Sequence, residues 1–159
     1  MLWICRAGMD SIYYDRFISE NRIYLPWLGY NVPLNTLSAL IDFRYLVENE
    51  KQTTNRSSVS NWASQLYAFA KEMQPNDMVL IPAKCSRSYT LAKIISDYNF
   101  QESPNDLHHF RQITVLQAEI LRSEFSQSVQ YSLGAYRTIF KGNHEEEILT
   151  TIKLLQQQK

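Results

Sequence analysis

Glycine is scarce in this chain, with four among 159 residues. No Gly-rich phosphate-cradling loop can be written onto it. Cysteine is scarcer still. Cys5 and Cys85 stand alone, without CxxC spacing or a neighbouring histidine cluster. A disulfide framework and a zinc site are therefore not expected, and two free thiols suit a reducing cytoplasm. Net charge is also missing: 16 Lys and Arg balance 16 Asp and Glu, so the chain as a whole does not attract polyanions. No apolar run approaches the ~20 residues of a membrane span. Met1-Leu2-Trp3-Ile4-Cys5 carries neither a basic leader nor a small-residue cleavage site, so no signal peptide is expected. The Glu-x-Lys triplet of a metal-dependent restriction nuclease does not occur. His144-Glu145 is followed by Ile148 where a zincin needs its second histidine. His108 and His109 are adjacent on a predicted strand, so they face opposite ways and are expected in structural or surface roles. Together these absences predict a chain without catalysis, cofactor or metal of its own.

Aromatic residues are plentiful: ten Tyr, seven Phe and three Trp. They can fill a core or offer stacking faces to bases and cations. The apolar pattern predicts strands over Leu2 to Arg6, Arg22 to Trp27 and Met78 to Ile81. Ser88 to Phe100 and His109 to Val115 alternate and are expected to pair antiparallel, and Tyr136 to Lys141 gives a last strand. Helices are predicted over Asp10 to Glu20 with Asp10 as N-cap, and after Thr36 with Leu37, Leu40, Ile41 and Tyr45 on one face. The clearest helical stripe is Trp62, Leu66, Phe69, Ala70 and Met73. A short helix capped by Ser123 and ended by Gly134 follows. Glu48 to Ser60 reads as a polar loop, and residues 142–159 as a terminal helix or linker stub. The expected fold is α+β: five or six mixed strands in a small twisted barrel with helices packed outside, spanning residues 1–141.

Several segments carry a resemblance across this span. They are Arg6-Ala7-Gly8, Trp27, Asn61-Trp62-Ala63-Ser64-Gln65-Leu66-Tyr67-Ala68-Phe69, Asp77-Met78-Val79-Leu80-Ile81-Pro82, Tyr89, Arg111, and Ser132-Leu133-Gly134 before Thr138-Ile139-Phe140. In this order the chain resembles the PUA-like (EVE-like) domain at the N-terminus of Mrr-type and related modification-dependent restriction endonucleases. It departs from them where Pro26 and Leu28 flank Trp27, at Asn76, and at Tyr131 before Ser132, so the identity of a ligand does not carry over. The resemblance implies a reader of a modified or flipped base in DNA, serving an anti-phage or restriction nuclease whose catalytic part lies elsewhere. Such a reader must unstack a base and compensate by stacking and by hydrogen bonds to the base edge.

On that reading Trp27 is either a cage wall or a rim aromatic covering the core, and Trp62 fits the helix's apolar stripe. Tyr89 either stacks on a base or fills a strand face. Arg6 and Arg111 contact phosphate or base, or join salt bridges. Lys84, Ser86 and Arg87 form a polar loop placed to hold a backbone, and Ser132 donates to the ligand or caps a helix. From Ile81 to Lys141 seven cations face five acids, a mild basic bias. Two other classes compete: a protein-docking or regulatory module of a defence system, and an RNA-binding PUA-like domain.

Overall fold

Strand β1 (Leu2–Cys5) is buried at all four positions, which explains why it reads as an unbroken apolar run. Successive strand residues point to opposite faces; here Trp3 and Cys5 enter one core and Leu2 and Ile4 enter another. A strand covered on both faces has no position for a polar residue. The computed structural model in which this is seen describes residues 1–103, 106–135 and 137–158, with only the backbone of Ser86.

Among the described residues seven strands form one curled mixed sheet, a half-barrel, with five α-helices packed around it. The remaining strands are β2 (Arg22–Tyr24), β3 (Met78–Pro82), β4 (Ser88–Ile94), β5 (Asn99–Phe100), β6 (His109–Leu121) and β7 (Ile139–Lys141). Their order is β2-β6-β4-β3-β1-β7, with β5 also paired to β6. Among the described residues only β1 and β3 run parallel; the other pairs are antiparallel. The parallel pair is joined by a long crossover, as such a pair requires, and that crossover holds α1 (Tyr14–Glu20), α2 (Leu40–Lys51) and α3 (Arg56–Tyr67). These helices cover the Trp3 face. The other face is covered by α4 (Gln127–Leu133) and α5 (Glu145–Gln157), through Val129, Leu133, Ile148 and Ile152.

The α+β class, the barrel-like curl, the β4–β6 antiparallel pairing and the α3 stripe agree with the sequence pattern. Several details differ. Asp10 does not cap a helix: it lies in a left-handed turn at φ 55°, and α1 begins at Tyr14. Gly8, at φ 82°, has room for no side chain, since a Cβ there would lie 2.8 Å from the Tyr13 ring. Thr36 ends a short 3₁₀ turn rather than starting α2. That helix buries Phe43 and Val47 and leaves Leu40, Ile41 and Tyr45 exposed. Both apolar sets have helical spacing, and Phe43 prevails by packing edge-on to Tyr67 of α3, centroids 5.4 Å apart. Most of the expected Glu48 to Ser60 loop is helix, because Asn55 caps α3 by accepting from Ser58 N–H at 3.0 Å.

Ser126, not Ser123, caps α4. β6 runs past Val115 to Leu121, with register shifts opposite β4 that absorb its polar residues. Tyr136, the expected start of β7, lies outside the described residues. Residues 145–157 form the terminal helix α5, whose Ile148 and Ile152 are buried in the second core with Leu2 and Leu80. Among the described residues no helix is long and apolar enough to cross a membrane.

Candidate nucleic-acid interface

Sheet topology collects charges that are far apart in sequence. β1 and β3 are parallel, β4 runs opposite to β3, β6 opposite to β4, and β7 opposite to β1. The C-termini of β1, β3 and β6 therefore share one sheet end with the N-termini of β4 and β7. Those five positions lead into Arg6, Lys84, Arg122, Arg87 and Arg137. Acids on the same segments are Asp10, Glu119 and Glu124. Among the described residues no carboxylate lies in salt-bridge range of Lys84, Arg87, Arg122 or Arg137. Arg122 N–H donates to Arg87 C=O at 2.9 Å, which fixes these two residues side by side.

Beside this end lies an open depression of about 920 Å³ between α4 and the start of α5, lined by Arg122, Gln130, Tyr131, Ser132, Asn143 and His144 among others. The Nε of Arg122 is buried with no hydrogen-bond partner. Its Nη2 reaches Gln130 C=O only at 3.5 Å. A buried N–H left unsatisfied costs about 1–3 kcal/mol. Tyr131 is 88% exposed on the rim.

Arg6 sits beneath this surface, donating to Leu133 C=O at 2.8 Å, Ala135 C=O at 3.1 Å and Arg137 C=O at 3.0 Å. The first two carbonyls lie at and just past the C-terminal end of α4, where a cation also complements the helix dipole, and the third lies just before β7. Burial lowers the Arg6 pKa; the Tyr89 phenol opposes that shift and the like charge of Arg122 adds to it. Tyr89 itself is 1% exposed, packed edge-on to Phe125 in the second core. It fills the strand face and cannot stack on a ligand in this conformation. Burial raises its pKa, with Arg122 and Arg6 acting the other way.

The other sequence candidates lie apart from this end. Arg111 is 2% exposed, its guanidinium taken up by carbonyls inside the fold. Its Nε donates to Phe69 C=O at 2.8 Å, Nη2 to Ala70 C=O at 3.3 Å and Nη1 to Ser96 C=O at 3.2 Å. The first two belong to the π-helical turn Ala68–Glu72 that extends α3, whose carbonyls need donors from outside the helix. Trp27 follows the C-terminus of β2, at the opposite end of the sheet. It meets Trp62 edge to face with centroids 4.4 Å apart, and the Lys51 ammonium lies 4.0 Å over the Trp62 ring. The two tryptophans thus serve one another and a local cation. Ser132 Oγ donates within α4 to Val129 C=O at 2.8 Å while lining the depression. Lys84 and Arg87 are exposed, and Ser86 lies between them in the turn Lys84–Ser86.

Sequence reasoning assigned no role to three residues that matter here. Arg122 stands in no motif, Tyr131 entered only as a departure from the family pattern, and Gln65 only within the segment that carries the resemblance. Gln65 is buried, and its Oε1 accepts from Thr138 N–H and Ile139 N–H, both at 3.0 Å, which ties β7 to α3. His108 and His109 are both buried and structural. The His109 Nε2–H donates to Tyr30 C=O at 2.8 Å, so its Nδ1 accepts from the Tyr98 hydroxyl. Among the described residues no group of three His, Cys, Asp or Glu converges as metal ligands.

A comparison with curated proteins finds no match to this chain. A family model does match residues 3–138, from β1 to the residue before β7. That match covers most of the chain, which therefore belongs to the family described as Domain of unknown function (DUF8426).

Proposed function

We propose that this chain is a nucleic-acid-binding module that holds a phosphate backbone at the cationic end of its half-barrel. One observation carries the reading: Lys84, Arg87, Arg122 and Arg137 converge there with no carboxylate partner among the described residues. A chain of zero net charge attracts no polyanion as a whole, so its affinity depends on such a local concentration. The resemblance to reader domains supplies the finer proposal. On it the ligand is DNA bearing a modified or flipped base, and the chain recognises a target for a restriction or anti-phage nuclease whose chemistry lies in another domain or partner.

The test is fluorescence anisotropy with labelled DNA, unmodified and carrying 5-methyl, 5-hydroxymethyl or N6-methyl bases, at low and at physiological salt. Binding that weakens as salt rises, and is lost in Arg87→Glu with Arg122→Glu, is the expected result. Absence of binding to every DNA and to RNA at low salt removes the proposal. One feature favours a second reading, docking to a protein: Leu40, Ile41 and Tyr45 leave an apolar stripe on the outer face of α2. Association through that stripe would be insensitive to salt.

A further inference from the structure

From the depression beside α4 we infer that the nucleic acid taken at this end is single-stranded, with an unpaired base stacked on Tyr131 and a phosphate held by Arg122. The inference rests on the proposed binding of nucleic acid there, and names the strand state.

Stacking is the discriminating physics. An aromatic ring can lie against a base only when one face of that base is free. Within a duplex both faces of a paired interior base are covered by its neighbours, and flipping it out costs a few kcal/mol that a single strand does not pay. Of the aromatic residues described, Tyr131 is the most exposed, at 88%. A ring held in water forgoes the burial that stabilises the other aromatics of this chain. The tryptophans offer no comparable platform, since Trp27 and Trp62 pack on each other and Lys51 covers a face of Trp62.

Charge sits where a strand on that ring would need it. Arg122 lines the same depression as Tyr131, with no carboxylate in salt-bridge range among the described residues. Arg87 adjoins Arg122 through a backbone hydrogen bond, and Lys84 and Arg137 stand on the same sheet end. An aromatic platform next to a cationic track is how strands are held without sequence readout. Groove reading of a duplex needs a projecting helix or ribbon that enters a channel about 12 Å wide, whereas the feature here is concave.

The experiment compares a fluorescein-labelled oligothymidylate of about 12 nucleotides, within the usual site sizes, with a duplex of equal length at low salt. Wild type, Tyr131→Ala, Tyr131→Phe, Arg122→Gln and, as a distant exposed control, Tyr45→Ala are measured, each checked by thermal melting. The expected result is tighter binding of the single strand and a loss of about tenfold in Tyr131→Ala, the range of one stacked base. Tyr131→Phe and Tyr45→Ala keep wild-type affinity, and Arg122→Gln weakens binding and flattens its salt dependence. Duplex binding as tight as the single strand, or a Tyr131→Ala protein that binds like wild type, overturns the inference and leaves the cationic-end reading standing. No binding of either oligonucleotide overturns both.

Discussion

Lowering the pH should destabilise this protein through His109, with a sign set by the burial and hydrogen bonding of its ring. His109 is fully buried at the start of β6. Its Nε2–H is committed to Tyr30 C=O, so Nδ1 must act as acceptor for the Tyr98 hydroxyl, which in turn accepts Leu34 N–H at 2.9 Å. The imidazole thereby fastens the segment between β2 and α2 to the sheet at two points. Burial is the main reason that its pKa falls from 6.5 to about 4; the Tyr30 carbonyl opposes the shift and His108 reinforces it. A base whose folded pKa is depressed is neutral in the native state and binds a proton on unfolding. Its stabilising contribution is complete above pH 6.5 and is lost as pH falls towards 4.

Each pKa unit corresponds to 1.36 kcal/mol, so the full shift is worth about 3 kcal/mol, of which about 2 kcal/mol is gone by pH 5. The assay is urea unfolding of wild type and His109→Gln at pH 7.5 and pH 5. Glutamine keeps a donor and an acceptor but does not titrate. The variant should be less stable at pH 7.5, and its further loss on going to pH 5 should be about 2 kcal/mol smaller than that of wild type. Equal pH dependence of the two proteins would refute the reasoning. Carboxylates such as Asp106, whose pKa is lowered chiefly by its bond to Arg16, titrate in both proteins and cancel in the comparison.

Three further outcomes follow from contacts described above. Arg111→Met removes the donor to three carbonyls, two in the π turn after α3 and that of Ser96, and should cost about 3–5 kcal/mol in urea unfolding; a loss below about 1 kcal/mol would show that water replaces the guanidinium freely. If Lys84, Arg87, Arg122 and Arg137 each meet a phosphate, single-strand affinity should fall about fiftyfold between 50 and 200 mM salt, with each cation removed lowering the slope by about 0.7. A chain ending at Gly142 should lose its cooperative thermal transition, because Leu2, Ile4 and Leu80 then lose the cover of Ile148 and Ile152; a cooperative melt near the full-length value would show that α5 is dispensable.

Residue pattern alone determined whatever a local period encodes. β1 and β3 are unbroken apolar runs because both faces of their sheet are covered, and α3 shows its stripe because one face is buried throughout. Where two periods coexist, tertiary packing decided. In α2, Phe43 and Val47 outcompete Leu40, Ile41 and Tyr45 because Phe43 meets Tyr67 across the helix pair. β6 continues past Val115 because β4 pairs with Gln117, Ile120 and Leu121, with Glu119 left in a bulge at φ 56°, and no pattern in β6 itself records that partner.

The candidate site was legible only as residue types. Sequence named Arg6, Arg111, Lys84 and Arg87 as cations but could not say which would be used inside the fold. Carbonyls at the ends of α4 and of the π turn after α3 take Arg6 and Arg111, while Lys84 and Arg87 stay at the surface. That Arg122 and Arg137 join them follows from strand order, which brings the ends of β1, β3, β4, β6 and β7 together across more than a hundred residues of chain. Burial and secondary structure leave a local signature because they act on neighbouring residues. Convergence of charge leaves none, because it is a property of how distant segments are arranged in space.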